Sequence, residues 1–258
     1  MRALVVLTAV LYFSLAGLVR ADALDDQVLL PSVRVKTTKG IGSGTIFKHD
    51  NREYVVTAGH VIAHAKEVKE VEITKNDGTV EKKQKAFWPQ IDVTRTLFRE
   101  GKEIGELKLM ADVIAFSDAE ESGGMDIAVL KLVENDILKS TAIWGDSDVL
   151  KPGTEILHVG SVYGSITGAF CKGNVMRLDF VLPELNSSRF VVANLGGMRS
   201  GSSGGGVFIQ RDNHYEFVGM VVRSDSGGLT LLKSSAIIGK FLTDHRLSGL
   251  TAPAKKAK

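Results

Sequence analysis

The sequence predicts an all-β fold, either a barrel or a sandwich, with one helix near the C-terminus. Short runs rich in β-branched and aromatic residues follow one another closely, and Gly, Asn or Asp separates them. This pattern is typical of antiparallel sheets. Helical periodicity is rare by contrast. It is clearest in SSAIIGKFLTDH, residues 234–245, where a serine precedes apolar residues at helical spacing.

The predicted elements follow in chain order. The clearest strand-like runs are GSGTIF (42–47), YVVTA (54–58), VKEVEIT (68–74), IAVLKL (127–132), EILHVGSV (155–162), RFVVANL (189–195) and EFVGMVV (216–222). VIAHAKE (61–67) has the length of one or two helical turns. Residues 75–124 are more charged, and the turn signals NDG and REG within them indicate extended hairpins instead of a separate domain. The C-terminal helix is expected to pack back on the β domain.

The two ends of the sequence differ from the rest. Residues 1–23, MRALVVLTAVLYFSLAGLVRADA, have an early arginine, an apolar run and an A-x-A site, which is the layout of a secretory signal peptide. The alternative is an uncleaved anchor, since the apolar run is just long enough to cross a bilayer. The sequence predicts export to the periplasm or the medium, with a membrane partner only if cleavage fails. A domain is expected over 24–247 and a disordered Lys-rich tail over 248–258.

Composition argues against several functional classes. The formal net charge is +2, and Lys and Arg are scattered among Asp and Glu, so nothing predicts a nucleic-acid partner. The single cysteine, Cys171, excludes an internal disulfide. Its strand-like surroundings indicate a small buried residue and not a nucleophile. A Cys/His zinc site lacks the necessary cysteines, and neither a metal nor another cofactor is expected.

The stretch RSGSSGGGVFIQ (199–210) is either a flexible loop or a shaped turn that presents a nucleophile. A serine hydroxyl needs a base, and it needs backbone N–H groups directed at the developing oxyanion. Small neighbouring residues allow a tight turn and the close approach of a substrate. Ser203 has this setting, because Gly201 precedes it by two positions and glycines occupy 204–206. Ser203 is therefore the candidate nucleophile.

Two upstream segments offer partners for this serine. Of the six histidines, only His60 lies where a strand-like run meets a short helical stretch, in TAGHV. Asp126 directly precedes the apolar run 127–132, a position suited to a buried carboxylate that orients an imidazole. Each residue alone is weak evidence, since a lone histidine is usually solvated or satisfied. The joint chain order His60, Asp126, Ser203 is much more specific.

With these residues in place, the sequence resembles the chymotrypsin-fold, trypsin-like serine peptidases, and most closely their HtrA/DegP-like branch. The likeness covers about residues 30–245 and rests on GIGSGTIF, YVVTAGHVI, GMDIAVLKL, WGDSDVLKPGTEILHVG and GSSGGGVF. It implies two perpendicular six-stranded antiparallel β-barrels with the active site between them. It also implies a His60–Asp126–Ser203 triad, an acyl-enzyme route and protein or peptide substrates. The N–H groups of Gly201 and Ser203 would form the oxyanion hole.

The sequence departs from the HtrA pattern in two places. HtrA proteins usually carry one or two PDZ domains after the protease, whereas neither such a domain nor regulation through it is expected here. The separation between His60 and Asp126 is long, and the charged hairpins of 75–124 fill it. These hairpins are either a family-specific insertion or a contact in a homo-oligomer, and the sequence leaves both open.

The resemblance also predicts the primary specificity pocket. The residue six positions before the nucleophile is Gly197 and not an acid, so a buried basic side chain would find no partner there. Cleavage after Lys or Arg is therefore not expected. Val222, Arg223 and Ser224 would form another wall, and Val222 suits small aliphatic residues. Arg223 either enters the pocket and attracts an acidic side chain or points to solvent, which strand alternation favours.

Two functions of other kinds compete with this interpretation. The chain could be an inactive protease fold that serves as a binding or chaperone module, although the presence of all three triad residues argues for activity. Ser203 also fits G-x-S-x-G, the nucleophile elbow of α/β-hydrolase esterases, with Asp225 and His245 as partners. An elbow leads into a helix, however, whereas VFIQ indicates a strand. Chymotrypsin-like peptidases also occur in viruses, but the signal segment favours a bacterial exported enzyme.

Overall fold

β-Strands form most of the ordered chain. The computed structural model describes residues 23–251, apart from 122, 135, 165, 184–187 and 226. The predicted signal peptide lies outside the described residues except for Ala23, and so does 252–258 of the predicted tail. The first eight strands are β1 (Ser32–Lys36), β2 (Ile41–His49), β3 (Arg52–Thr57), β4 (Glu67–Thr74), β5 (Val80–Phe87), β6 (Ile91–Arg99), β7 (Lys102–Ser117) and β8 (Ile127–Leu132). The next six are β9 (Glu155–Val162), β10 (Ile166–Leu182), β11 (Ser188–Leu195), β12 (Gly206–Arg211), β13 (His214–Ser224) and β14 (Leu229–Ser234).

Six of the first eight strands close into a barrel in the order β1-β2-β3-β8-β7-β6. All pairings are antiparallel, and β1 closes the barrel by pairing with β6. β-Branched and leucine side chains fill its interior, and in β8 every residue except Lys131 is buried. Burial of such side chains contributes about 1.5–3 kcal/mol each, so the barrel has its own core.

The second barrel closes in the order β10-β11-β14-β13-β12-β9. The helix that follows it, here α2 (Ser235–Asp244), begins after Ser234, whose hydroxyl accepts a hydrogen bond from Ile237 N. Ile238, Phe241 and Leu242 of α2 are buried. The predictions of two six-stranded barrels and a C-terminal helix are thus confirmed.

Aromatic side chains join the two barrels. Phe47 of β2 packs edge-on against Phe217 of β13, with ring centroids 5.0 Å apart. Trp144, in the segment between the barrels, lies 5.2 Å from Phe47 and 5.3 Å from Phe217. Such aromatic pairs stabilise an interface beyond their buried area. This contact holds the two barrels against each other and keeps the cleft between them in place.

The charged region 75–124 is divided between the first barrel and a projecting hairpin. Strands β6 and β7 belong to the barrel, whereas β4 and β5 form a separate two-stranded sheet. Both predicted turns are present: Gly78 lies at φ 82°, and Glu100 and Gly101 lie at φ 53° and 71°. The pairings of β4 with β5 and of β6 with β7 are the hairpins that the sequence predicts, and of these four strands only β4 and β5 stand apart from the barrel.

The folded part of the chain extends past the predicted boundary at 247. Residues Ser248–Thr251 form a 3₁₀ turn in which Leu250 is buried in the core. The first four residues of the predicted tail are therefore folded, because Leu250 removes its apolar surface from water by packing back on the barrels. Across the described part of the chain, none of the helices is both long and apolar enough to span a membrane.

Candidate active site

His60 lies at the end of the first barrel where β3 turns into a short helix, α1 (Gly59–Ala63). The chain makes this turn in close contact with the barrel, because a Cβ on Gly59 would lie 2.4 Å from the carbonyl oxygen of Ser117. Only glycine fits such a contact. The turn directs the His60 side chain into the cleft, where 40% of its surface is exposed.

Asp126 holds the imidazole of His60 through its carboxylate. The His60 Nδ1 atom lies 2.9 Å from Oδ2 and 3.1 Å from Oδ1 of Asp126, and the His60 backbone N–H donates to Oδ1 over 2.8 Å. Asp126 has φ 56°, a left-handed conformation that Asp tolerates better than most residues. Its side chain is only 8% exposed. The carboxylate therefore has little freedom and fixes both the ring and the backbone of His60.

Ser203 lies on a tight turn built from glycines in the second barrel. Gly201 and Gly204 have φ 95° and 83°, conformations that L-residues rarely adopt. A Cβ on Gly204 would lie 2.2 Å from Ser43 O, and one on Gly205 would lie 2.5 Å from His158 Cε1. The serine-glycine stretch is therefore a packed turn and not a flexible loop.

Ser43 of the first barrel holds this turn in place through hydrogen bonds. Its buried hydroxyl donates to Gly201 O and accepts from Ser161 N, each over 2.6 Å. Its backbone N–H also donates to Ser203 O over 2.8 Å. These bonds fix the peptide planes around the turn. Among the described residues, the N–H groups of Gly201 and Ser203 have no acceptor.

The Ser203 hydroxyl donates to Val222 O over 3.2 Å. Within the described chain it makes no hydrogen bond to His60. Rotation about the Cα–Cβ bond would release it from the Val222 carbonyl and redirect it. Such loose arrangements are common in ligand-free sites and tighten when a substrate binds.

A cavity of about 340 Å³ opens between the barrels at this point. It brings together His60, Asp126 and Ser203, and it includes the predicted wall residues Val222, Arg223 and Ser224. The other lining residues are Ala119, Gly124, Ser188, Phe190, Arg199, Ser200 and Lys233. Gly197 is not among them. It lies in an exposed turn between β11 and the serine turn, with no atom within 4 Å of an added Cβ.

The alternative of an α/β-hydrolase elbow does not fit this geometry. Ser203 leads into β12 and not into a helix, and both sheets are antiparallel. Asp225 caps the β13–β14 turn by accepting from the N–H groups of Gly227 and Leu229. His245 bonds to Phe241 O at the end of α2. Neither residue lines the cavity that contains Ser203.

Comparison with known proteins identifies the domain family and supports the fold. The model of the trypsin-like peptidase domain family matches residues 42–220, more than half of the chain. The chain belongs to this family. A comparison with curated proteins found no match.

Solved structures share the fold of this peptidase domain. The HtrA-type protease AlgW with a tripeptide has TM-score 0.59 and 20% identity, over 88% of this chain and 63% of the AlgW chain. AlgW with a decapeptide has TM-score 0.61 and 18% identity, over 90% and 69% of the two chains. Deg5 has TM-score 0.57 and 18% identity, over 86% and 91%. The chain thus spans less than two thirds of the AlgW chain in the tripeptide complex.

Two further side chains in the trypsin-like domain carry shifted pKa values but lie outside the cavity lining. His158 is buried behind the serine turn, and this burial lowers its pKa to about 4 although Nδ1 bonds to Gly206 O. Burial raises the pKa of the half-buried Cys171 thiol to about 11, so the thiol stays protonated at neutral pH. Cys171 is less buried than the sequence predicts, and its protonated thiol is a poor nucleophile.

Sequence reasoning missed Lys233, the charged residue of the cavity with the least exposed side chain. It lies in β14, is 2% exposed and reaches the cavity beside Phe190. Its signal in the sequence is the lone charge in LTLLKS, an otherwise apolar strand. Among the described residues, no cluster of His, Cys, Asp and Glu could hold a metal ion.

Proposed function

We propose that the chain is a serine endopeptidase that hydrolyses peptide bonds through an acyl-enzyme. One observation carries the proposal: a carboxylate-held imidazole and a serine on a glycine-framed turn open into the same cavity. His60 and Asp126 come from the first barrel and Ser203 from the second. This arrangement has the roles of a serine-peptidase triad.

The reaction would begin when the Ser203 hydroxyl leaves Val222 O and turns to the free nitrogen of His60, Nε2. His60 takes the proton while Ser203 Oγ attacks the substrate carbonyl, and it then protonates the leaving amine. Asp126 keeps the Nδ1–H tautomer and stabilises the imidazolium. A water molecule then attacks the acyl-enzyme by the same proton route in reverse, which releases the acid product and restores Ser203.

The developing oxyanion would be bound by the N–H groups of Gly201 and Ser203. Both donors have no acceptor among the described residues, and the bonds of Ser43 to Gly201 O and Ser203 O hold the turn rigid. Donors fixed in advance cost no reorganisation during the reaction. Each is worth about 3 kcal/mol of transition-state stabilisation.

The AlgW complexes with a tripeptide and a decapeptide show peptide binding by a protein of similar fold. We extend this to the present chain and propose protein or peptide substrates. An inactive binding module would also hold peptides, but it would not need the three bonds between His60 and Asp126. The two Nδ1 contacts suit proton transfer by the imidazole, the backbone contact positions the residue, and together they favour an enzyme.

Active-site labelling tests the proposed function directly. A fluorophosphonate probe should label wild-type protein at Ser203, as read by mass spectrometry of tryptic peptides, and should not label a Ser203→Ala variant. The same variant should cleave a fluorogenic peptide about 10⁶-fold more slowly, since triad members act as a unit. Ser202→Ala is the matched control and should still be labelled. Labelling at Ser202, or none at all, would refute the assignment.

Export is a second part of the proposal, and it rests on residues 1–23. On secretion through a bacterial inner membrane, the mature chain should begin at Leu24. N-terminal sequencing of periplasmic material measures this. A full-length product that needs detergent for extraction would show an uncleaved anchor instead.

A further inference from the structure

Lys233 occupies an unusual place for a charged residue. Strand β14 lies between β11 and β13, and Lys233 faces the cavity that contains Ser203. Its side chain is almost fully buried, and Nζ lies 4.2 Å from the ring centroid of Phe190. In the described part of the chain, Lys233 forms no ion pair within 4 Å. A buried ammonium without a counter-ion is costly, and proteins seldom keep one without a use.

The charges around the cavity are mostly positive. Lys233, Arg199 and Arg223 line it, and Asp126 is the carboxylate among its lining residues. Asp126 is already engaged by His60 through both carboxylate oxygens. Burial lowers the pKa of Lys233 to about 8, while the charge of Asp126 acts in the opposite direction. Most Lys233 side chains therefore still carry their charge at pH 7, and a bound carboxylate would favour that charge further.

The remaining walls of the cavity suit a short side chain with a charged end. Ser224 brings a hydroxyl group that can donate a hydrogen bond, and the Ser188 hydroxyl, which donates to Gly124 O over 3.4 Å, can turn to do so. Phe190 and Val222 offer apolar surface for methylene groups. An aliphatic side chain alone would leave the ammonium of Lys233 buried and unpaired. A carboxylate would pair with it and accept from the hydroxyl groups.

We propose that this cavity binds an acidic side chain, Glu or Asp, of the residue that supplies the scissile carbonyl. Lys233 determines this preference. The proposal rests on the proposed function. Val222 alone led us to expect a preference for small aliphatic substrate residues. We propose the acidic preference instead, because the ammonium of Lys233 lies in the same cavity. Arg223 is exposed in β13 and forms the rim. It adds positive potential but stays hydrated, so its contribution is smaller than that of the buried lysine.

The test compares three fluorogenic peptides that differ only in Glu, Gln or Leu before the scissile bond. Wild-type enzyme should cleave the Glu peptide with a kcat/KM about 100-fold higher than the Gln peptide, the scale of a buried charge pair. In Lys233→Met, which removes the charge but keeps an unbranched side chain only one atom shorter, the ratio of Glu to Gln should fall to about one. In Lys233→Arg it should stay well above one. Lys172→Met, an exposed lysine of β10, is the matched control and should keep the wild-type ratio.

Several results would overturn the inference. A wild-type preference for Leu, or a Glu preference that survives Lys233→Met, would exclude Lys233 as the determinant. If Arg223→Met loses the Glu preference and Lys233→Met keeps it, Arg223 at the rim of the cavity determines the preference. If no peptide is cleaved and Ser203 is not labelled, the proposed function fails. Fluorescence anisotropy with non-cleavable Glu and Gln peptides then tests the acidic subsite independently of catalysis. If the Glu peptide binds wild type and Lys233→Met with equal affinity, the acidic subsite is excluded.

Discussion

The two barrels differ in whether their site residues already make the contacts that the proposed mechanism needs. In the first barrel, three contacts of 2.8–3.1 Å already join His60 to Asp126. In the second, the Ser203 hydroxyl is bonded to Val222 O of its own barrel. The proposed acid–base pair is thus assembled within one barrel, whereas activation of the proposed nucleophile would depend on a side-chain rotation toward the other. In the proposed mechanism, the contact between Ser203 and His60 across the cleft is therefore the one that substrate binding would have to complete.

Among the effects that test this difference between the barrels, the largest is expected at the His60–Asp126 pair of the first barrel. In Asp126→Asn, the remaining Oδ1 can still accept from the His60 backbone N–H, so the amide group turns its NH₂ toward Nδ1. The imidazole must then carry its proton on Nε2, where it cannot accept the Ser203 proton. Turnover should fall about 10⁴-fold, the scale found for this exchange in a chymotrypsin-type enzyme. Peptide cleavage measures it.

Fluorophosphonate labelling provides the control for Asp126→Asn, because labelling at Ser203 should slow in parallel while the melting temperature changes little. A variant that keeps more than a tenth of wild-type turnover would mean that the His60–Asp126 pair is structural only.

A smaller effect tests the turn that carries the nucleophile. Gly204 and Gly197 both have positive φ, 83° and 84°, but only Gly204 is packed against other atoms. Gly204→Ala should therefore cost backbone strain and a clash with Ser43 O, together about 2–5 kcal/mol. Gly197→Ala should cost about 1 kcal/mol. Urea denaturation of the two variants measures the difference, and equal costs would contradict a packed turn.

The smallest effect concerns pH and the uncharged His158 behind the serine turn. Its pKa is about 4 in the native state and about 6.5 when unfolded. Between these values the unfolded state binds the proton and the native state does not, so stability is complete above pH 6.5 and falls as pH approaches 4. The loss is on the order of 3 kcal/mol. Measuring the free energy of unfolding against pH tests this.

His158→Met should flatten that pH dependence between 4 and 6.5. It should also cost about 1 kcal/mol at pH 7, because Gly206 O loses its partner. An unchanged slope in this variant would show that another group titrates in the window.

Most of the fold follows from local sequence signals. Strands β8, β9 and β11 match the predicted runs within one residue at each end, since β-branched residues bounded by Gly, Asn or Asp leave few alternatives. Strands β1 and β14 were not predicted, and of β10 only the surroundings of Cys171 were interpreted as strand-like. β10 is long and interrupted by glycines and charges, and β1 and β14 are short runs that contain charged residues. The positions of these strands in the sheet depend on pairing with strands that are distant in the sequence, and a local sequence pattern carries no information on such pairing.

The sequence likewise predicted the three candidate catalytic residues but only part of the pocket. His60, Asp126 and Ser203 lie next to element boundaries, where turn signals in the sequence are strong. The pocket depends on long-range register instead: Met220 pairs with Lys233 across β13 and β14, and this pairing helps to bring the lysine beside Phe190. Gly197 was assigned by counting from Ser203, but it lies in an exposed turn and does not line the cavity. Counting along a chain cannot reveal which side of a loop faces the cleft.

The segment between the barrels has a consequence for assembly. Each barrel is made of strands that are contiguous in the chain, β1–β8 and β9–β14, and the connection is held to the first barrel by the buried carboxylate of Glu53, which accepts from the N–H groups of Asp136 and Leu138. Cutting the chain between this anchor and Trp144 would give two fragments, each with a complete barrel. One would carry the proposed base and the other the proposed nucleophile. Hydrolysis would then depend on the concentration of both fragments, and its rate would report how often the aromatic contact between them forms.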